Sequence, residues 1–149
     1  MASTATAPVR GASLISRITS IEQLKPHVDF VLEALATCPF VTDTRKALVE
    51  VARELGDPDV LLIVDAPVGL LLGRNNPGEF MKGVTGTHLY SKAPGVAVEL
   101  MNQLHAFAIE RGAPEVFGVD VNKRPKAYER LFRRWNLTPE GQFFSYKVN

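Results

Sequence analysis

Between Val84 and Val121 the chain passes from a β-type stretch through a glycine turn into a long amphipathic segment and back into a β-type stretch. This passage constrains the fold more than any other. Val96, Leu100, Leu104, Phe107 and Ala108 recur at helical intervals up to Arg111, and Gly112 supplies a stop. Val116 to Val121 reads as a compact strand, so the two strands are expected to lie parallel, joined by a right-handed crossover. The preceding chain asks for the opposite arrangement. Asp59 to Val64 and Val68 to Gly73 are separated only by Asp65-Ala66-Pro67, short enough for an antiparallel hairpin. A polar turn is expected at Arg74 to Gly78, then a long third strand from Phe80 to Tyr90, in which Gly83 and Gly86 mark bends or bulges.

The first third of the chain reads as helical after a short strand containing Leu14, Ile15 and Ile18. Ser20 and Gln23 form a capping box ahead of Ile21, Leu24, Val28, Val31, Leu32 and Leu35, which predicts a helix over Ser20 to Thr37. Pro26 removes a hydrogen bond inside that span, so the helix either starts near Lys25 or is kinked. Asp43 is the expected N-cap of a second helix with Ala47, Leu48, Val51 and Leu55 facing inward, stopped at Gly56-Asp57-Pro58. Near Pro125 another helix begins, with Tyr128, Leu131, Phe132 and Trp135 on one face, and Gln142 to Val148 reads as a final strand. The order predicts an α/β (α+β) domain: a mixed, mostly antiparallel sheet with helices on both faces.

With 149 residues, 46% of them hydrophobic, the chain suits one two-layer domain over 13–149 behind a polar arm at 1–12. A formal net charge of +1 excludes polyelectrolyte behaviour of the whole molecule. Cys38 is the sole cysteine and His27, His88 and His105 are scattered, so neither an internal disulfide nor a metal site is expected. A reducing, cytoplasmic setting follows as the expectation. The longest apolar runs fall well below the roughly 20 residues that span a bilayer, and no membrane partner is expected. Residues 1–19 are rich in Ala, Ser and Thr without acidic groups, and read as an arm suited to a protein partner. The one basic patch comprises Lys123, Arg124, Lys126, Arg130, Arg133 and Arg134, opposed by Glu129. A solvated helix face explains it; a phosphate group of a small ligand or an acidic protein would also fit, and nucleic-acid phosphates rank below both.

Lys92-Ala93-Pro94-Gly95-Val96-Ala97 occupies the junction of the third long strand and the amphipathic helix. A helix start leaves backbone amides unpaired at the positive end of the macrodipole, so a glycine turn there suits a phosphate group. The spacing resembles the acyl-CoA pyrophosphate motif Q/R-x-x-G-x-G/A of the GNAT superfamily of N-acetyltransferases, with Lys92, Gly95 and Ala97 in the specified places. Ala127 to Leu137 is similar to that family's terminal signature A-x-x-L-Y-E-K-x-G-F through Leu131, Phe132, Asn136 and Leu137. The predicted element order matches the family's topology over nearly the whole chain.

The resemblance implies an N-acetyltransferase that takes acetyl-CoA and an amine acceptor. Lys92, Ala93, Gly95, Val96 and Ala97 would hold the pyrophosphate, and Asn122, with Asp120, would lie where the family binds pantetheine or substrate. The thioester would sit in a wedge between the ends of Phe80 to Tyr90 and Val116 to Val121. His88 or Glu79 would accept the ammonium proton. Tyr128 is the available acid, one turn of about 5.4 Å from Phe132, which stands where the family has a tyrosine and carries no hydroxyl. Pro39, Phe40 and Val41 are expected to border the acceptor pocket. Phe132, Pro94 and the short tail mark a divergent member, similar to small acetyltransferase-like proteins of tailed phages. The competing expectation is therefore a non-catalytic structural or adaptor protein, located in a virion. Acceptor identity stays open, as does assembly into a homo-oligomer.

Overall fold

The computed structural model describes residues 15–118, 133–134 and 146–148. Within them the strands are β1 (Ser16–Arg17), β2 (Val60–Asp65), β3 (Gly69–Asn76), β4 (Gly83–Ser91) and β5 (Val116–Gly118), side by side in that order. The helices are α1 (Ile21–Leu24), α2 (Val28–Leu35), α3 (Thr44–Glu54) and α4 (Val96–Glu110). The three pairings from β1 to β4 are antiparallel, and β4 and β5 are parallel, with Val84 opposite Val116 and Gly86 opposite Gly118. The parallel pair is what a strand-helix-strand passage demands. The sheet is mixed and mostly antiparallel, as the sequence implies.

Strict alternation along β2 divides the core in two. Leu61 and Ile63 pack with Leu71, Val84, Val96, Leu100, Leu104 and Phe107 under α4. Leu62 and Val64 pack with Leu70, Ile18, Leu24, Val31 and Leu35 under α1 and α2. Each fully buried side chain of this size contributes about 1.5–3 kcal/mol, so both layers are needed to order the sheet between them.

Ser20 caps α1 by accepting from the Gln23 amide at 3.2 Å, and the Gln23 side chain reaches back to the Thr19 amide at 2.7 Å, one residue earlier than a standard capping box. Pro26 converts Lys25–His27 into a 3-10 turn, which splits the expected long helix into α1 and α2. Asp43 caps α3 as expected, accepting from the Lys46 amide at 3.1 Å.

Two boundaries differ from the sequence reading. Arg74 to Asn76 belong to β3 rather than to a turn, because all three pair with β4 and Arg74 also pairs with Val60 of β2. Asn75 is buried there; its side chain donates to Asp59 Oδ1 at 3.0 Å, which also accepts from Arg111 Nε at 3.2 Å. β4 starts at Gly83 rather than Phe80: Met81 has φ 53°, incompatible with a strand, and Phe80 and Met81 lie exposed in the β3–β4 loop. The predicted arm, the chain beyond Gly118 and the last helix lie outside the described residues, apart from Arg133 and Arg134, which are helical and exposed. Of the predicted closing strand, residues 146–148 are described, and they are exposed and unpaired in the sheet. No helix among the described residues is long and apolar enough to cross a membrane.

α4 lies on a row of glycines. A Cβ at Gly69 would sit 2.5 Å from Val96 Cγ1, one at Gly73 3.0 Å from Leu104 Cδ1, and one at Gly86 3.1 Å from Leu104 Cδ2. Leu104 has a flexible end that can yield, whereas Val96 is stiff about χ1. Gly69→Ala is therefore expected to destabilise the fold by about 1–3 kcal/mol. Gly118→Ala, where an added Cβ meets nothing within 4 Å, should stay within about 1 kcal/mol of wild type. Urea unfolding of both variants checks the contrast.

Candidate active site

The site is built at the C-terminal end of β4. Leu72 of β3 pairs with His88, but the next β3 residue, Gly73, pairs with Gly86, so Thr87 is an extra residue without a register partner. This is a β-bulge. Its hydroxyl closes part of the gap by donating to the Leu72 carbonyl at 3.2 Å. The bulge also shifts the alternation: Val84 and Leu89, five positions apart, both contribute to the α4 layer, while Tyr90 joins the opposite one.

His88 consequently turns toward the C-terminal end of α2, half-buried. Its Nε2 lies 3.0 Å from the Ala34 carbonyl and 3.1 Å from Thr37 Oγ1, whose hydroxyl donates to the same carbonyl at 2.7 Å. A carbonyl only accepts, so Nε2 carries the proton and Nδ1 keeps the lone pair. Burial pushes the imidazole pKa below its ordinary value and so favours the neutral ring, an effect partly offset by the bond to the Ala34 carbonyl, which favours the protonated form.

Two residues on, Tyr90 and Lys92 converge on Glu33 of α2. The Tyr90 hydroxyl donates to Glu33 Oε2 at 2.6 Å, and Lys92 Nζ donates to the same oxygen at 3.0 Å. The Tyr90 ring is steadied by Phe30, with centroids 6.0 Å apart. The tyrosine hydroxyl, and after it the ammonium, hold the Glu33 carboxyl below its ordinary range; bonding to Glu33 raises both Tyr90 and Lys92.

Beyond Lys92 the chain reaches Gly95, the N-cap of α4, at φ 82° and ψ −16°. This left-handed conformation suits glycine, and a Cβ there would meet nothing within 4 Å. No side chain caps the helix; the Val96 amide turns back to the Ala93 carbonyl at 3.3 Å. The first turn thus offers backbone donors at an open surface, aligned with the helix dipole. Ala93 and Val96 are packed against the α4 layer and Ala97 is half-buried, so the turn has a fixed base.

On the α2 side an open cleft of about 540 Å³ is lined by Asp29, Leu32, Glu33, Asp43, Thr44 and Arg45. Pro39, Phe40 and Val41 lie on the connection between α2 and α3 but outside that lining. Glu79 is not brought to the site. It is exposed in the β3–β4 loop, 3.9 Å from Lys82, and precedes a nine-residue strand of roughly 27–30 Å, with Lys92 just beyond the far end. Asp120, Asn122, Tyr128 and Phe132, and the far part of the expected wedge, lie outside the described residues. The Glu33 contacts went unread in the sequence. The available signal was the spacing of Tyr90 and Lys92, which places both on one face of an extended chain.

The sequence matches no protein-family model. It matches none of the curated proteins compared with it. Solved structures do match. An aminoglycoside 6′-N-acetyltransferase from Acinetobacter haemolyticus superimposes with a TM-score of 0.63 at 16% identity, over 91% of this chain and 99% of that one. A GCN5-related N-acetyltransferase from Ralstonia eutropha JMP134 gives 0.61 at 16% identity, over 89% and 97%. The aminoglycoside acetyltransferase AAC(6′)-Iy, in complex with the bisubstrate analogue CoA-S-monomethyl-acetylneamine, gives 0.63 at 11% identity, over 91% and 97%. The chain has the GNAT fold. β4, the glycine turn and α4 follow one another as the sequence at Lys92 to Ala97 implies.

Between the ordinary imidazole pKa of 6.5 and its lowered value in the fold, the unfolded chain binds the extra proton at His88 and the folded chain does not. Stability from this residue is therefore complete above about pH 6.5 and is lost as pH falls through that window. Thermal unfolding from about pH 7 to about pH 5 is expected to show a shallower loss for His88→Gln than for wild type. Parallel profiles would mean that His88 is not the titrating group.

Proposed function

We propose that the chain is an acyl-CoA-dependent N-acetyltransferase, moving an acetyl group from the CoA thioester to an amine. One observation carries the reading: the α4 N-terminus is uncapped, opens at a left-handed Gly95, and follows directly from a bulged strand. A pyrophosphate needs converging backbone donors at a place where no Cβ intrudes, and the turn at Gly95 and Ala97 fits that need, while Val96, whose amide bonds the Ala93 carbonyl, packs the turn onto the sheet. The fold is shared with N-acetyltransferases, one of them captured with a CoA-containing bisubstrate analogue.

Transfer from a thioester to an amine asks for a donor to the developing oxyanion, an acceptor for the ammonium proton and departure of the thiolate. The ladder break at Thr87 makes backbone groups beside it available to the first role. His88 adjoins the bulge with a neutral ring and a lone pair on Nδ1, and is the better base of the two candidates because Glu79 lies beyond the other end of β4. Acetyl-CoA is a substrate here, and the acceptor is an amine of unassigned identity. The alternative, a non-catalytic adaptor of the same fold, is what a failed titration would leave.

Calorimetric titration with acetyl-CoA tests the reading. Gly95→Asp places a carboxylate at the open face of the turn and should weaken binding by about ten-fold or more through repulsion. Gly95→Asn tolerates the left-handed backbone without the charge and should stay within about three-fold of wild type. Absence of binding to wild type, with no thermal shift at ligand excess, would overturn the enzyme reading.

A further inference from the structure

Glu33 belongs to two places at once. Its carboxylate holds Lys92, which leads into the α4 turn, and it also lines the cleft between α2 and α3. We propose that the Lys92–Glu33 pair is a latch between the two substrate sites: acetyl-CoA takes Lys92 from Glu33, and the freed carboxylate then recognises a cationic amine in the cleft. The proposal rests on the acyl-CoA reading above and adds to it a coupling residue and the charge of the acceptor.

The geometry favours an exchange rather than a fixed bridge. Lys92 and Glu33 are both roughly half-exposed, and Lys carries its charge on a flexible four-carbon stem, so the ammonium can turn to a nearby phosphate without backbone movement. An exposed pair of this kind is weak enough to be displaced by a multiply charged anion beside a helix N-terminus. Glu33 does not swing away with it. Tyr90 donates to the same oxygen that Lys92 occupies, and Tyr90 is packed on Phe30 and the α2 layer. Loss of the ammonium thus leaves a carboxylate held in place at the cleft wall, one charge more negative locally than before. Asp29 lies one turn earlier on α2, and Asp43 and Arg45 come from the start of α3, so a cation entering the cleft meets Glu33 within an acidic surround. Coupling of this kind is reciprocal: a cation that engages Glu33 loosens Lys92 and favours the anion at the turn.

A double-mutant cycle read by acetyl-CoA calorimetry tests the latch on wild type, Glu33→Gln, Lys92→Met and the double variant. Glu33→Gln should tighten acetyl-CoA by about two- to five-fold when Lys92 is present, since Lys92 no longer has to leave a partner. In the Lys92→Met background the same change should have no effect. Equal tightening in both backgrounds would reduce Glu33 to a distant repelling charge and overturn the latch. So would no tightening in either. A second readout does not depend on the variants: the carboxyl 13C titration of Glu33 in wild type. Its pKa should rise on saturation with acetyl-CoA, as the ammonium leaves while Tyr90, Asp29, Asp43 and Arg45 stay; an unchanged titration with ligand bound would overturn the latch. Binding without these effects removes only the latch. Absence of acetyl-CoA binding in all four proteins removes the acyl-CoA reading, and the latch falls with it.

Discussion

Thr87 has no register partner on β3, and the arrangement of the site follows from that one extra residue. In a regular ladder, residues an odd number of positions apart point to opposite faces. The bulge cancels this between Val84 and Leu89, which lets an apolar residue enter the α4 layer at both ends of the strand. Tyr90 is thereby sent to the α2 side, where Glu33 meets it, and His88 to the carbonyl of Ala34. Removing the extra residue would exchange the faces, placing an imidazole and a phenol under α4 and an isobutyl group against the cleft. The bulge is a condition both of the packing and of the contacts that His88 and Tyr90 make with α2.

The glycine row under α4 acts on the same site from the other face. Val96, the first residue of α4, touches the space a Cβ at Gly69 would fill, and Leu104 covers Gly73 and Gly86 two turns on. The helix is seated by its own first turn, so the amides at its N-terminus share the rigidity of the sheet. Donors that are already placed need little ordering when an anion arrives. At the opposite end Asp59 gathers Asn75 and Arg111, so the strands and the helix end are tied together there as well.

The parts of this arrangement that were legible in the sequence are those governed by local rules. Ser20 and Asp43 cap helices because their side chains reach an amide three residues on, and Gly95 occurs where a left-handed backbone precedes a helix. The parallel crossover followed from length and order alone. Less legible was anything set by partners distant in the chain. Arg74 and Asn75 are polar and read as a turn, yet Glu54 pairs with the first and Asp59 with the second, so both extend a strand. Phe80 and Met81 are apolar and read as strand, yet the backbone at Met81 forbids it. Lys92 was legible as a charge beside the turn; that the charge is shared with Glu33 depends on α2 crossing the end of β4, which no spacing within either segment reveals. Gly86 flagged the bulge, but its effect on which face His88 occupies emerges only from the register.

One wall of the cleft is built differently from everything around it. α3 has no buried residue; Ala47, Leu48, Val51, Ala52 and Leu55 are only partly covered, and its packing is on α2. Opening such a helix exposes little apolar surface, so it is the unit expected to exchange its amide hydrogens first, while the sheet and α4 stay closed. The same economy applies over evolutionary change. Substitutions along α3 can reshape the cleft that holds Asp43, Thr44 and Arg45 at small expense in stability, whereas Gly69 beneath Val96 leaves no room for a side chain. A chain made this way can change its surface on the α3 side of the sheet and leave the α4 turn on the other side as it is.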